Sequence, residues 1–525
     1  MQTFVRRHEG NIHGVLCGFD RVRFRGTQRS INYAEGLFRY LNFLKVLLIA
    51  FKAFFDGTTR KLRLATEELA KSTAPGKVVY LSGARDKQEV VDELIRQHGI
   101  AESFTGLIAI LSCVENCRSF ELHKNAEAGK LELRSAFRKC LHYYLYIRHP
   151  RFGLMHVRIM SWFPMQVQIC LNGREWLARQ LDAAGIRYQR LDNTFAWVED
   201  FARAQELLDE QQKTDWSSML SGLLREYHPD LVALQTELQL RDYYWTAEQT
   251  EFATDVAFRS EAELKGLYRR LVRHATENLS SPDVMRFLQQ KLTKSGEIDP
   301  RFQGEVVSDT KTRREGTRVK HRLGANSLKM YDKFGVVLRI ETTIHQAEGL
   351  KVYRPKENDP EKRLAWQVLR RGVADLHRRC ELSRKANEAY LEALAVVECP
   401  ETLGALAVSV SRSLKKEGRR YRGLNLLQER DGLWLKAINK GEYVIRGLRN
   451  RDMREIMFGN GRTSPAEQRR QSGQVTRQLQ LLRAHGLIRK VPKSHCYKIT
   501  EAGRKLATAV SYAGDASLKS LSQAA

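Results

Sequence analysis

The C-terminal region carries the pattern that most restricts the fold. Hydrophobic residues at helical spacing predict three helices, at about 432–440, 447–457 and 465–485. GLIRKVPKSHCYKIT follows at residues 486–500, and it predicts a strand, a basic turn and a second strand. The order predicts a small α+β domain over 431–525 in which helices pack on a two-stranded wing.

Positive charge is concentrated in the same part of the chain. The whole sequence has 88 Lys and Arg against 61 Asp and Glu, a formal net charge of +27. Residues 411–525 hold 25 of these cations and 9 of these acids, an excess of 16. Such a field concentrates polyanions, so nucleic acid is the predicted partner. A generally basic protein without a polyanionic ligand is the alternative, and charge does not separate DNA from RNA.

The string VTRQLQLLRAHGLIRKV at 475–491, with Tyr497–Thr500 and Gly503–Leu506 after it, resembles winged helix-turn-helix proteins of the MarR-like kind. The resemblance implies duplex DNA as partner, with protein or RNA as the alternative. In the helix, the residues expected to face the duplex are Gln474, Thr476, Arg477, Gln478 and Arg483. In the wing they are Arg489, Lys490, Lys493 and His495. Leu479, Leu482, Leu487 and Ile488 are the expected core.

A second pattern predicts a basic β-hairpin, with strands at Leu328–Tyr331 and Val336–Thr343 around a turn at Asp332–Gly335. Its string KMYDK…LRIETT resembles replication initiators of plasmids and small phages. The resemblance implies Glu341 as a strand acid that binds Mg²⁺, Tyr331 as a nucleophile and Asp332 in the turn. The candidate nucleic-acid contacts are Lys320, Arg322, Lys329 and Lys333.

The alternative for this hairpin is structural. Glu341 would pair with Arg339 or Lys329 across the strands, and Tyr331 would pack in the core. No two of the 14 His residues are two positions apart, so a His-x-His metal site is not supported.

A third pattern is Asp20 in the strand-like run VLCGFDRVRFRGT. RNase H-like nucleases and transposases carry an Asp on their first strand, and the region to about residue 110 weakly resembles them. Glu115 and Glu121 are the candidate acids of a later strand, and paired carboxylates around Mg²⁺ would align a nucleophile for attack on phosphate. The alternative is an ion pair of Asp20 with Arg21, Arg23 or Arg25.

Residues 137–163 interleave aromatic and basic side chains in FRKCLHYYLYIRHPRFGLMHVRIMSWF. Aromatic side chains on a sheet face can stack unpaired bases while Arg binds phosphates. An ordinary sheet core with outward-facing Arg is the other interpretation.

Several classes of protein are not indicated. The eight Cys include no CxxC pair, so we expect reduced thiols in a cytoplasmic protein rather than a zinc ribbon. The most apolar stretch, Leu41–Phe55, is short for a bilayer span and carries two lysines, so no membrane partner is expected. No GxxxxGK[ST], GxSxG or HExxH string occurs.

Together these patterns predict a multidomain α+β protein. The expected parts are an α/β domain at 1–135 that resembles RNase H, a ferredoxin-like α+β unit at 136–212, a helical region at 213–300, a basic β-hairpin with a long helix at 301–398, a linker at 399–430 and a winged helix-turn-helix at 431–525.

The expected function is nucleic-acid processing by a protein of a bacterial mobile element. DNA would be bound through the winged helix and cleaved or nicked with Mg²⁺-bound carboxylates, as in a nuclease, nickase or transposase. The alternative is a non-catalytic DNA- or RNA-binding protein, either a regulator or a ribonucleoprotein component. The oligomeric state does not follow from the sequence.

Overall fold

The structure is a computed structural model, and it describes most of the first 515 residues. The described ranges are 1–82, 85–125, 129–290, 292–293, 298–299, 301–313, 316–356, 359, 361, 363–398, 403–426, 428–440, 443, 447–459, 464–492 and 494–515. Within these ranges, no helix combines the length and the apolar character needed to cross a membrane.

Helices and strands are interspersed along the chain. The helices are α1 Gln2–Arg7, α2 Ala34–Phe43, α3 Phe51–Ala70, α4 Lys87–Gln97, α5 Gly173–Ala183, α6 Phe201–Gln211, α7 Trp216–Tyr227, α8 Pro229–Glu237, α9 Glu261–Glu277, α10 Ser281–Phe287, α11 Leu376–Leu394, α12 Leu403–Ser411, α13 Glu429–Ile438, α14 Asn450–Phe458, α15 Pro465–Ala484 and α16 Glu501–Asp515. The strands are β1 Ile12–Thr27, β2 Val79–Tyr80, β3 Gly106–Asn125, β4 Lys130–His149, β5 Gly153–Met160, β6 Val167–Asn172, β7 Tyr188–Leu191, β8 Thr194–Val198, β9 Tyr244–Phe258, β10 Val306–Arg313, β11 Gly316–Leu323, β12 Asn326–Lys333, β13 Val337–Ile344, β14 Lys351–Pro355, β15 Leu364–Val368, β16 Leu414–Lys416, β17 Arg419–Tyr421, β18 Leu448–Arg449, β19 Ile488–Lys490 and β20 Cys496–Ile499. The mixed α+β class predicted from the sequence is confirmed.

The chain divides into two compact units, each built from separate stretches. The central unit contains Val15–Thr254 and Thr343–Leu382. The terminal unit contains Met1–Gly14, Asp255–Thr342 and Ser383–Ala525. Each unit is described by itself below.

A single sheet organises the central unit, with the strand order β9-β1-β6-β5-β4-β3-β2. β3 and β4 form a long antiparallel hairpin from Gly106↔Arg148 to Asn125↔Lys130, and only β2 joins its neighbour in parallel. Alternate residues of β5 and β6 are buried, as expected for strands with one packed face. α4 packs Val90 and Val91 against Ile108, Leu111 and the β4 tyrosines.

The central unit differs from the predicted domain boundaries in two places. The boundary between 135 and 136 falls inside β4, whose strand neighbours β3 and β5 lie on either side of it. A separate ferredoxin-like unit at 136–212 is therefore not observed, because its strands join the sheet of the preceding region. The predicted helical region 213–300 contains β9, a strand of 15 residues.

Four strands of the terminal unit follow the order β10-β11-β12-β13 and continue to residues 255–258 of β9. The predicted basic hairpin is confirmed as β12 and β13, and its turn carries Phe334 and Gly335 at positive φ. Asp255 and Arg339 form a buried ion pair through Nε–Oδ1 at 2.6 Å and Nη2–Oδ2 at 2.9 Å. This pair joins β9 to β13 in the core.

The predicted linker at 399–430 is wrong, because much of it is ordered structure. Leu406 and Val410 of α12, and Leu424, belong to the same core as Trp434, Leu479 and Leu482. β16 and β17 pair as a short hairpin from Leu414↔Tyr421 to Lys416↔Arg419. These apolar residues need the core of the following domain, so the segment folds with it.

The expectation of eight reduced thiols is also wrong. Cys117 of β3 and Cys140 of β4 form a disulfide with a Cα–Cα distance of 6.8 Å. The long β3–β4 pairing places them near each other, since Cys117 lies opposite Arg138 and Cys140 opposite Glu115. Five other cysteines are free thiols, and Cys399 lies outside the described residues.

Candidate functional site

The C-terminal part of the terminal unit builds a basic surface on a small core. β18, β20 and β19 form an antiparallel three-stranded sheet in that order. The helices α13, α14, α15 and α16 come from the same stretch of the chain, 429–515. The predicted core residues Leu479, Leu482, Leu487 and Ile488 are all buried. The helix α15 begins at Pro465 with Ser464 as its cap, because the Ser464 hydroxyl accepts the N–H of Glu467 at 3.3 Å.

α15 presents only part of the predicted contact set to solvent. Thr476 and Arg477 are exposed, and Gln474 and Arg483 are partly exposed. Gln478 is buried, 7% exposed. Its assignment to the DNA-facing side is therefore corrected, because the helical spacing turns residue 478 toward the core with Leu479 and Leu482.

The strand–turn–strand that follows α15 exposes further cations. Arg489, Lys490 and His495 are exposed on β19 and in the turn before β20. Arg489 lies opposite Lys498 in the sheet. Lys493, the fourth predicted wing residue, lies outside the described residues.

β16 and β17 form a second basic element, which we call the cationic hairpin (Leu414–Tyr421). Lys415 lies directly opposite Arg420, and Lys416 directly opposite Arg419, with all four side chains exposed. Its turn residues Glu417 and Gly418 both have positive φ, as tight two-residue turns require. Like charges directly opposite on paired strands are destabilising, so this hairpin presents a cation cluster at a cost to its own stability.

In the central unit, two carboxylates meet on neighbouring strands. Thr27 Oγ1 donates to the carbonyl of Tyr244 at 3.4 Å, and Thr246 Oγ1 donates to the carbonyl of Arg25 at 3.2 Å. Residue 27 thus lies beside residue 244, and residue 25 beside residue 246, so β1 and β9 run antiparallel. The same register places Asp20 opposite Glu251, and their carboxylate oxygens lie within 4.8 Å of each other. We call these two residues the carboxylate pair.

The surroundings of the carboxylate pair orient it. Asp20 is buried, and the side-chain amide of Asn193 donates to its Oδ1 at 3.1 Å and its Oδ2 at 3.0 Å. Asn193 lies in the β7–β8 turn beside Asp192, whose φ is +52°. Glu251 is paired with the Arg21 guanidinium at 4.0 Å. Carboxylate oxygens are the ligand type that hard divalent cations such as Mg²⁺ prefer, so these two residues are candidates for such a site.

Glu115 and Glu121 lie on β3, four strands away from β1 in the sheet order. At about 4.8 Å per strand, that separation is roughly 19 Å, so neither residue joins the carboxylate pair. Both lie in ion pairs, Glu115 with Arg158 at 2.6 Å and Lys87 at 3.1 Å, and Glu121 with Arg138. Their predicted role as further catalytic acids is corrected.

Glu115 is held as a carboxylate by its neighbours. Burial by itself would raise its pKa, but the hydrogen bond from Tyr144 and the charge of Arg158 lower the pKa to about 2. The Tyr144 hydroxyl donates to Oε1 at 2.7 Å. This cluster connects β3, β4, β5 and the start of α4, so its role is structural.

The predicted site residues of the β12–β13 hairpin are mostly inside the terminal unit. Lys329 Nζ lies 2.6 Å from Glu341 Oε1, which is the cross-strand pairing that the sequence left as the alternative. Tyr331 is buried beneath the Lys333 ammonium, which lies 5.6 Å from the ring centroid. Burial of the Tyr331 ring argues against its predicted role as an accessible nucleophile.

Asp332 acts within its own turn. Its carboxylate accepts the backbone N–H of Gly335 at 3.1 Å, and burial raises its pKa. Lys320 lies directly opposite Lys329, and burial and the Lys329 charge lower the pKa of Lys320. Arg322 is exposed, whereas Lys333 is buried, so only part of this set is available to a nucleic acid. The assignment of Glu341 to a metal stays a prediction.

The sequence reasoning missed Glu251 and Asn193. The run YWTAEQTEF around Glu251 lies inside the region 213–300 that the sequence predicts to be helical, so its alternation of strand type is not used there.

Comparisons of the chain with family models, with curated proteins and with solved structures found no match.

Proposed function

We propose that the protein binds DNA through its C-terminal region and acts on phosphodiester bonds at the carboxylate pair. The helices α13–α15 with the sheet β18-β20-β19 fit a winged helix-turn-helix, in which α15 would enter the major groove and the β19–β20 turn would be the wing. The observation that carries DNA binding is the set of exposed cations on α15, the wing and the cationic hairpin. We further propose that the protein belongs to a bacterial mobile element and acts in the cytoplasm.

The contacts expected of this surface divide by chemistry. Arg477 on α15 has the planar donor geometry that pairs with guanine in the major groove. Arg489 and Lys490 would contact the phosphate backbone and contribute affinity without sequence preference. RNA would replace DNA as partner if single-stranded or structured RNA bound more tightly than a duplex.

A direct test measures fluorescence anisotropy of labelled duplex DNA from a random-sequence pool over a range of salt concentrations. We expect the logarithm of the binding constant to fall with the logarithm of salt, with a slope of about −0.9 per phosphate contact. R477Q should weaken duplex binding, whereas K265Q, on the exposed face of α9 in the same unit, should not. Equal losses in both variants, or no loss in R477Q, would contradict the assignment of α15.

Metal-dependent cleavage is the second part of the proposal, and the carboxylate pair supports it. Asp20 and Glu251 would hold Mg²⁺, with Asn193 fixing the orientation of the Asp20 carboxylate. Bound Mg²⁺ would stabilise charge on a phosphate undergoing in-line attack by water or a hydroxyl. Arg21, whose guanidinium lies 4.0 Å from the Glu251 carboxylate, could bind a non-bridging phosphate oxygen.

The test for cleavage compares single-stranded and duplex DNA with Mg²⁺ and with EDTA. D20N and E251Q should abolish Mg²⁺-dependent cleavage and leave duplex binding intact. E121Q is the matched control, since Glu121 of β3 is an acid away from the carboxylate pair and forms an ion pair with Arg138 of β4. E341Q tests the remaining sequence prediction of a further acid. Absence of cleavage by the wild-type protein would favour the alternative, a non-catalytic DNA- or RNA-binding protein.

A further inference from the structure

A cavity of about 580 Å³ opens on the central unit, and Arg21 connects it to the carboxylate pair. Its walls come from β1, β4, β5, β6 and the beginning of α4. The volume falls within the range of about 300–1,000 Å³ that is typical of small-molecule sites. The two sides of the cavity differ in chemistry.

One side is cationic. Arg21, Arg85 and Lys87 line it, and their side chains are 53%, 59% and 27% exposed. Each also contacts a carboxylate, Arg21 with Glu251 at 4.0 Å, Arg85 with Glu93 at 3.3 Å and Lys87 with Glu115 at 3.1 Å. The Arg85–Glu93 distance is long for a charge-assisted hydrogen bond, so the Arg85 guanidinium retains donors for an anion.

Asp86 is an acid that also lines this side of the cavity, but its carboxylate already accepts hydrogen bonds from the first turn of α4. Asp86 caps α4, and its Oδ1 accepts the N–H groups of Gln88 at 2.7 Å and Glu89 at 3.3 Å. The positive end of the α4 dipole therefore partly offsets the Asp86 charge.

The other side is aromatic and apolar. The Tyr146 ring packs mainly in the core beneath α4 and is 4% exposed, and its centroid lies 5.3 Å from that of the His156 ring. Leu154, Met155 and Leu171 continue the wall. Burial and the charges of Arg23, Arg21, Lys87 and Arg158 lower the pKa of His156 to about 4. The imidazole is therefore neutral near pH 7, and it offers a planar uncharged ring.

We propose that this cavity binds one nucleotide unit, with its phosphate against Arg21, Arg85 and Lys87 and its base against Tyr146 and His156. Guanidinium and ammonium groups recognise phosphate, and aromatic rings stack bases. The unit is either a free mononucleotide or a nucleotide of a strand. The strand source rests on the proposed function, because Arg21 would then place that strand beside Asp20 and Glu251.

Isothermal titration calorimetry tests the proposal on the full-length protein in EDTA, so that metal plays no part. The probes are deoxynucleoside monophosphates, the matched nucleosides, inorganic phosphate and a short single-stranded oligonucleotide. We expect the monophosphate or the oligonucleotide to bind at least ~10-fold more tightly than the nucleoside, equivalent to about 1.4 kcal/mol. Competition between the two probes would identify a shared site and the preferred source.

R21Q and R85Q should each weaken binding of the nucleotide by several-fold or more, and Y146L should weaken binding of the nucleotide but not of inorganic phosphate. K213Q, an exposed cation after α6, is the control and should have no effect. Thermal unfolding of each variant verifies that it folds, and R85Q is the safest because Arg85 is the most exposed of the three cations. Equal affinity for nucleoside and nucleotide, or unchanged affinity in R21Q and R85Q, would overturn the proposal.

The result is separable from the proposed cleavage. Nucleotide binding in EDTA with no Mg²⁺-dependent cleavage supports the cavity and contradicts the metal site. Cleavage that depends on Asp20 and Glu251, with no nucleotide binding that depends on Arg21 and Arg85, supports the metal site and overturns the cavity.

Discussion

The carboxylate pair and the cationic hairpin place like charges directly opposite on paired strands, but with different sign and burial. In the first, buried Asp20 faces Glu251, and in the second, exposed Lys415 and Lys416 face Arg420 and Arg419. Such pairs weaken a sheet unless a ligand of opposite charge binds there. Two neighbouring acids attract a small cation, whereas an exposed row of cations fits an extended polyanion. The difference matches the two separate tasks proposed above, metal binding and nucleic-acid binding.

The largest change in the free energy of unfolding is expected on removing one member of a buried pair of opposite charges. Such a pair contrasts with the carboxylate pair and the cationic hairpin, in which the charges have the same sign. Arg339 and Asp255 are 0% and 1% exposed. D255N should lower the free energy of unfolding by about 3–5 kcal/mol, because it leaves Arg339 buried with a charge. Urea denaturation measures this loss. K265Q removes an exposed pair with Glu261 and should change stability by less than ~1 kcal/mol. Similar losses in the two variants would show that burial does not decide the energy of ion pairs in this unit.

The next largest effect on the free energy of unfolding is expected for Glu115, an acid whose charged neighbours are the cations Arg158 and Lys87 rather than a second acid. Its folded-state pKa of about 2 lies below the ordinary 4.5, so its stabilisation is present above pH 4.5 and is lost as pH falls from 4.5 toward 2. The shift corresponds to a contribution on the order of 3 kcal/mol. In urea titrations, wild type should lose this stability over that window, whereas E115Q should lack it already at pH 7. E121Q, with a partly exposed ion pair, should follow the wild-type pH profile.

Metal binding by the carboxylate pair should have a smaller effect on the free energy of unfolding, and only when Mg²⁺ is present. E251Q in EDTA should differ in stability from wild type by less than ~1 kcal/mol, because it removes both the like-charge contact with Asp20 and the pair with the partly exposed Arg21. Mg²⁺ should then stabilise wild type alone, by about 2.7 kcal/mol at one hundred times its dissociation constant. Thermal unfolding with Mg²⁺ and with EDTA measures both. Equal stabilisation of wild type and E251Q by Mg²⁺ would place the ion elsewhere, and E121Q controls for the loss of one acid.

The two like-charge elements also differ in how far the sequence predicts them. The β12–β13 hairpin and the β19–β20 wing were predicted because alternation and turn residues lie within one short stretch. The carboxylate pair needs the register of β1 against β9, and these strands are more than two hundred residues apart in the chain. No local pattern sets that register, so Asp20 was singled out but Glu251 was not.

The cationic hairpin was missed for another reason. Its strands have three residues each, too short to show a period, and the charge run Lys415–Arg420 is typical of a solvated linker. Only the packing of Leu406, Val410 and Leu424 into the C-terminal core shows that the segment is ordered. Tertiary contacts decide its structure, and a single sequence does not display them.

The smallest change in stability, together with a large change in binding, is expected for the cationic hairpin. Replacing Lys415, Lys416, Arg419 and Arg420 with Gln removes two like-charge pairs, so the folded protein should gain about 0.2–1 kcal/mol per pair. If all four cations contact phosphates, the salt slope of duplex binding should become shallower by about 3.6, from about 0.9 per contact. A matched variant with Lys61, Lys71, Arg187 and Lys213 replaced by Gln removes the same charge from exposed positions of the central unit. Since both variants have the same net charge, an equal change in slope would show that the overall field of the protein, rather than this hairpin, attracts the DNA. A change confined to the hairpin variant, with unchanged or raised stability, would show that the chain accepts repulsion between these strands in order to bind a polyanion.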